Sequence, residues 1–489
     1  MTDNTNIKSK TFGSMFWKFA ERICAQGVSL IVSIFLARML MPDDYSVISI
    51  VTIFFVFCNV FISGGLNTAL IQKKDADVVD YSSVLHVSMM IAGVLYVVMF
   101  FTAPWISSLY GKDILVPVIR VMALTFFINA FKSVLCAYIS SRLEFRKFFF
   151  ATIVGTLISA VVGITMALNG YGAWALVAQQ MTNSLVDTVI LFFSTKFRIV
   201  FIISFKKLKV LFKFGWKIFV ASMISALYDE IKPLVVGVKY SGEDLAYYNK
   251  GDSFPKFINS TVSDTLSSVL FPVMAKYQEN RNAVLNITRK YMKVSSYVVF
   301  PLMIGFFAVA ENFVSVVLTD KWLPAAIYIQ IFCASYMFNI IQVGNLQAIK
   351  AIGRSDVTLI LEIIKKSAYF IVILLFIFLS DSPEWLAASS IICTLIASAV
   401  NTFPNRKLIG YRYRLQFTDL FKNLLIALIM GVAVYFMNYI PLGKTLLLCI
   451  QVLSGILIYI ALSLATRNEN FYYIWNTLKN LRRKNEKSV

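Results

Sequence analysis

Apolar stretches of about 20 residues follow one another along this chain from end to end. Each is long enough to cross a bilayer core of roughly 30 Å. Inside hydrocarbon a backbone must satisfy its own polar groups, and a helix does so within the segment. The expected fold is therefore an all-α polytopic membrane protein. About fourteen spans are expected, near 14–38, 46–70, 82–104, 114–138, 148–169, 173–195, 215–239, 247–275, 288–316, 324–348, 356–380, 385–404, 417–439 and 444–466. Spans seven and eight are the least apolar. The first run is too long for a cleavable signal and no small-residue cleavage pattern follows it, so it is expected to remain as a transmembrane helix.

A net charge of +20 in a soluble protein would point to nucleic acid. Here 58% hydrophobic residues leave no room for that reading, and the basic residues fall in alternate loops. Lys196, Arg198, Lys206, Lys207, Lys209 and Lys213 lie between spans six and seven. Lys276, Arg281, Arg289, Lys290 and Lys293 lie between eight and nine, and Arg406, Lys407, Arg412 and Arg414 between twelve and thirteen. The tail adds Lys479, Arg482, Arg483, Lys484 and Lys487. This is the positive-inside pattern, and it places both termini in the cytoplasm, which requires an even number of spans. No nucleic-acid partner is expected. The six cysteines all fall inside spans, so no disulfide framework is expected. His86 in span three has no companion ligand, and neither a metal nor a cofactor is expected.

The chain also resembles itself. Met41-Pro42-Asp43-Asp44-Tyr45 corresponds to Ser241-Gly242-Glu243-Asp244-Leu245, and Ser63 through Leu70 falls without a gap on Ser263 through Leu270. Trp17-Lys18 matches Trp216-Lys217 with a one-residue slip. The unit holds six spans, an even number, so the two copies share one orientation about a pseudo-two-fold axis along the membrane normal. Two six-helix lobes around a central cavity are expected at 1–200 and 201–408, with two additional helices over 409–466 and a basic tail over 467–489. Phe471-Tyr472-Tyr473-Ile474-Trp475 among bases reads as an interfacial amphipathic helix.

Ionisable groups at membrane depth face protein or water. Arg22 shares a helical face with Gln26, Ser29 and Ser33, either as a cavity wall or as a structural pair of Glu21–Arg22 with another helix. Lys18 near the edge reads as snorkelling. In span eight Lys256, Ser260, Ser263 and Ser267 form one face, with Asn259 and Asp264 beside it. Span seven carries Asp229, Glu230, Lys232 and Pro233 past its midpoint; Pro233 is expected to break the helix and free carbonyls. A structural ion pair and a substrate or coupling site both fit that cluster. Asn339, Gln342 and Asn345 read as polar glue between helices. Arg120 and Lys132 add positive charge, and Glu362 with Lys366 neutralise each other. Gly64-Gly65 marks close packing or a kink. The candidate cargo contacts are Arg22, Gln26, Arg120, Lys232, Lys256, Ser260 and Ser263, with Asp229, Glu230 and Asp264 as candidate ion-coupling acids. Their surplus of positive charge suits an anionic cargo. No phosphate-binding loop, nucleophile elbow or metalloprotease motif is present, so no catalysis is expected.

Leu36-Ala37-Arg38-Met39-Leu40-Met41-Pro42-Asp43-Asp44, Gly65 through Gln72, Arg142-Leu143-Glu144-Phe145, Gly172 through Val177, Glu243 through Lys250 and Leu270-Phe271-Pro272-Val273 together resemble the polysaccharide-flippase branch of the multidrug/oligosaccharidyl-lipid/polysaccharide exporter superfamily. The resemblance implies alternating access between two lobes in a bacterial cytoplasmic membrane. It also implies an undecaprenyl-pyrophosphate oligosaccharide as cargo, bound for O-antigen, capsule or exopolysaccharide, with a polysaccharide polymerase complex as a further partner. Relatives often carry an acid or amide shortly before the glycine of span seven, where this chain has Lys232. The rival readings are a lipid II flippase, an ion-coupled multidrug antiporter and a glycan polymerase. The last usually needs a large outward loop with catalytic bases, which the chain lacks.

Overall fold

The computed structural model describes Cys24 and residues 26–486 apart from Gly64, Lys74, Leu143 and Lys196, without the side chains of residues 264–269, 271, 272, 275, 355, 477, 478 and 480–486. Every regular element among the described residues is helical. The helices are α1 (Gln26–Met39), α2 (Pro42–Ser63), α3 (Leu66–Gln72), α4 (Val78–Tyr110), α5 (Leu115–Met122), α6 (Thr125–Ser141), α7 (Arg146–Leu168), α8 (Ala173–Ser194), α9 (Phe205–Val235) and α10 (Gly242–Ala275). They continue as α11 (Arg281–Phe313), α12 (Ala325–Tyr336), α13 (Asn339–Ala351), α14 (Ser355–Leu379), α15 (Pro383–Leu408), α16 (Tyr413–Phe436), α17 (Lys444–Ala465) and α18 (Glu469–Glu486). Among the described residues eleven helical segments are long and apolar enough to cross a membrane, the pairs α5–α6 and α12–α13 each counting as one. The described part of α1 is apolar but short. α10 is too polar to count, and α14 carries Asp356, Glu362, Lys365 and Lys366.

Packing divides the chain after Ala246, in the first turn of α10. The repeat expected from the sequence would divide it after residue 200. The first division follows contacts and the second sequence register, and they differ by α9. This helix packs with α2, α3 and α4. Gly65, with φ of +73° at the start of α3, abuts the backbone of Gly215; a Cβ on Gly215 would stand 3.0 Å from the Gly65 carbonyl carbon. Phe61 lies 5.1 Å from Phe219, centroid to centroid, and Lys207 pairs with Asp77. Gly65 therefore serves both as a kink and as a close-packing point.

Local chemistry explains most helix ends in this unit. Pro42 and two acids open α2, where a missing N–H is harmless and negative charge meets the helix dipole. The Asp44 carboxylate also accepts from Met41 N–H at 2.9 Å. The matched segment caps α10 by other bonds: Ser241 Oγ accepts from Asp244 N–H at 3.0 Å and donates to the Asp244 carboxylate at 2.7 Å. Asp77 and Asp80 form a reciprocal cap on α4. Small residues at four-residue spacing, Ala151, Gly155, Ser159 and Gly163, let α7 lie closely on α8.

In the second unit, Tyr247–Val489, α11 is the central helix and touches α12, α13, α16 and α17. Here α16 and α17 are built into the packing. Large apolar side chains cover outward faces, among them Phe378 and Leu457. A patch of that kind in water would aggregate, and in a polytopic protein it is the lipid-facing surface.

Candidate functional site

Of the eleven apolar segments, α9 with its terminal turn is the least enclosed: 17% of its most apolar window is buried, against 44% for α15. A cavity of about 560 Å³ lies along it, walled by Val56 of α2 and by Lys217, Ile218, Ala221, Ser222, Ser225, Ala226, Asp229 and Glu230. Ser222, Ser225 and Asp229 follow one another at three- and four-residue intervals and share one face of α9, with Lys217 and Glu230 at its two sides. One ammonium and two carboxylates line the cavity. Asp229 is exposed and Glu230 half-buried.

Pro233 does not end α9. The helix runs on to Val235 and widens into a π-helical turn over Val236–Tyr240. Proline removes its own N–H and disturbs the preceding turn, but packing here carries the helix across the defect. The Asp229 carbonyl loses its usual i+4 donor as a result. A π turn directly after a proline, beside charged side chains, is the kind of local irregularity found at functional sites.

The other sequence-selected residues go to different places. Arg22 lies outside the described residues, as does the side chain of Asp264. Gln26 is half-buried in α1. Arg120 packs onto α4, its guanidinium 4.0 Å over the Phe100 ring and Nε donating to the Phe100 carbonyl at 3.4 Å. Lys232 is half-buried one turn beyond the acids of α9. In the second unit Lys256 holds its ammonium 3.5 Å from Asp252 and keeps 66% of its side chain exposed. Ser260 donates to the Phe257 carbonyl at 3.1 Å and Ser263 to Asn259 Oδ1 at 3.2 Å, so both hydroxyls are satisfied within α10. The structure thus brings Asp229 and Glu230 together, while Gln26, Arg120 and Lys232 are not among the described residues of that cavity wall.

A second cavity in the same unit went unread in the sequence. About 300 Å³ between α2, α6 and α8 is lined by Thr52, Asn59, Asn129, Lys132, Gln179 and Asn183, among others. Asn129 donates to Asn59 Oδ1 at 3.0 Å and accepts from Ser184 at 2.9 Å. Beside it the buried Asp187 pairs with Lys132. Asp187 Oδ1 and Asn183 Oδ1 are buried without a hydrogen bond. The available signal was a lone acid in an apolar span with a lysine on another helix.

In the second unit polarity serves packing. Asn345 of α13 donates to Thr402 at 3.2 Å and to Gln416 at 3.1 Å, and accepts from Asn405 at 2.8 Å. Asn345 and Asn405 are fully buried. On α16, Asp419 takes a bidentate pair from Arg289 of α11 at 2.8 and 2.9 Å and a hydrogen bond from Tyr411 at 3.0 Å.

With this geometry in place, the comparisons with known proteins agree. Residues 35–327 match the family described as polysaccharide biosynthesis protein. The succinoglycan biosynthesis transport protein ExoT of Rhizobium meliloti is 24% identical over 66% of this chain, which covers 65% of that relative's length. The teichuronic acid biosynthesis protein TuaB of Bacillus subtilis is 22% identical over 94% of this chain and 96% of its own length. Among solved structures, an inward-closed lipid II flippase MurJ superposes with a TM-score of 0.76 at 16% identity, over 93% of this chain and 99% of that one. At that identity the likeness concerns the fold alone.

Proposed function

The chain belongs to the polysaccharide biosynthesis protein family, and from that premise we propose that it moves a lipid-linked oligosaccharide from the inner to the outer leaflet of a bacterial cytoplasmic membrane. The protein is a polytopic membrane transporter, not an enzyme. The observation that carries the reading is the open groove along α9 that presents Lys217, Asp229 and Glu230, on a membrane-length helix with few buried residues, a proline and a π turn. In this reading α1, α10 and α14 also cross, which gives fourteen spans, cytoplasmic termini and two lobes at 1–200 and 201–408. The glycan rides on undecaprenyl pyrophosphate. Arg22, Lys232 and Lys256 contact the anionic headgroup, with Gln26, Arg120, Ser260 and Ser263 in supporting positions. Asp229, Glu230 and Asp264 couple an ion to the cycle, and a polymerase consumes the exported product. Outward movement of negative charge runs with an inside-negative potential, worth roughly 2.3 kcal/mol per charge per 100 mV.

The test is deletion of the gene followed by leaflet-resolved labelling of lipid-linked glycan. The precursor should accumulate on the inner leaflet, and the wild-type chain should clear it. Surface glycan at undiminished levels in the deletion strain would rule the reading out. Cysteine labelling from each side of the membrane checks the fourteen spans, since an externally accessible C-terminus would contradict them.

A further inference from the structure

At the N-terminal end of α11 a pocket of about 380 Å³ opens between that helix and α18. Its walls include Arg289, Lys290 and Lys293 from one turn of α11, and Glu469, Asn470 and Tyr473 from α18. Three cations stand there against Asp419 and Glu469. The cations are not equivalent. Arg289 and Lys293 are held by the buried Asp419 carboxylate, Lys293 at 3.6 Å. Lys290 lies 4.0 Å over the Tyr473 ring and meets no carboxylate among the described residues.

The opposite wall is fixed in place. The α17–α18 turn passes through Arg467 at φ +46°. Asn468, almost fully buried, donates to Asn423 of α16 at 2.9 Å. Lys422 donates to the Thr466 carbonyl at 2.8 Å. From that anchored start, α18 exposes Tyr472, Tyr473 and Trp475. Aromatic side chains of this kind settle at the headgroup level of a membrane, and basic residues beside them meet lipid phosphates. A pocket with surplus positive charge, set between a membrane-length helix and an aromatic-bearing surface helix, matches the chemistry of an anionic phospholipid headgroup.

We propose that the pocket between α11 and α18 binds the phosphate of an anionic phospholipid, with Lys290 as its exchangeable contact and Arg289 and Lys293 as charges preset by Asp419. The bound headgroup would then tie α18 to α11, and through Asp419 and Asn423 to α16. This site is separate from the cargo cavity and does not depend on the proposed cargo.

The test uses the full chain in nanodiscs of phosphatidylcholine with and without phosphatidylglycerol, read by thermal unfolding and by native mass spectrometry of retained lipid. Phosphatidylglycerol should raise the Tm of the wild type and remain bound on ejection from the disc. Lys290→Gln should weaken retention about fivefold, the loss of one basic contact near a charged surface, with its Tm in pure phosphatidylcholine unchanged. Arg289→Lys tests the preset charge, and Lys290→Arg should restore retention. Inorganic phosphate at millimolar levels distinguishes the source of the anion: an equal Tm rise with phosphate alone would overturn the lipid assignment in favour of a soluble ligand. Equal retention by wild type and Lys290→Gln would overturn the site.

Discussion

The charged face of α9 and the amide cluster of α13, α15 and α16 look alike as sequence: polar residues at helical spacing inside apolar spans. Their surroundings differ. Asn345, Asn405 and Gln416 are buried and bonded to one another across three helices. Lys217, Asp229 and Glu230 face open space along a helix that few neighbours enclose. Polarity at membrane depth fastens helices in the first case, and in the proposed function it lines a path in the second; the degree of burial separates the two settings.

The largest expected effect lies in the cluster. Asn345→Leu takes from Gln416 both bonds to the Asn345 amide and from Asn405 its bond to Oδ1, leaving Gln416 only Thr402 and Tyr411 and Asn405 only the residue 345 carbonyl, and each unsatisfied group costs about 1–3 kcal/mol. A loss of about 4 kcal/mol in detergent-unfolding stability is expected, and a loss under 1 kcal/mol would mean that water or other groups satisfy the cluster. Next is the seat of α9. Gly215→Ala pushes a methyl against the Gly65 backbone, with an expected loss of about 2 kcal/mol, read as a fall in the yield of monodisperse protein.

A smaller effect concerns the capped loop that meets α9. The Asp77 carboxyl is held down at about 2, first by the Lys207 ammonium and then by the Asp80 backbone N–H. A carboxyl with a lowered folded pKa contributes stability above its ordinary value near 4 and loses it as pH falls toward 2. Asp77→Ala should therefore cost about 1 kcal/mol at neutral pH, with the gap from wild type closing on acidification in the same range. A gap that stays constant with pH would assign the effect to capping geometry alone. The smallest stability change is expected where the functional change is greatest. Asp229→Asn combined with Glu230→Gln should shift stability by less than about 0.5 kcal/mol while reducing glycan translocation, and a substantial fall in Tm would move the pair into the fastening class.

The helices were legible because a span must be continuously apolar; their ends were not, since the spans expected at 46–70 and 82–104 give way to Pro42–Ser63 and Val78–Tyr110, set by Pro42, Asp77 and Gly111. Asn345 was legible as glue. What stayed hidden depended on the third dimension. Gly215 has no mark that sets it opposite Gly65, Asp187 gives no sign that one of its oxygens lacks a partner, and the packing of α9 with α2 and α3 cannot be read from the register of a repeat.

The contact between Gly65 and Gly215 places backbone on backbone, with Leu211 and Phe219 packed one turn to either side. Interlocked side chains resist rotation of one helix on another, because each ridge must climb out of its groove. Two bare backbones meet over a small area and resist it less at that point, so a tilt of α9 would pivot there. Asp229 stands about 21 Å farther along α9 at 1.5 Å per residue, so a tilt of about 10° at the glycines would carry its carboxylate roughly 4 Å by lever arithmetic alone. Displacement grows with distance from the crossing, and the charged end of α9 has the longer arm.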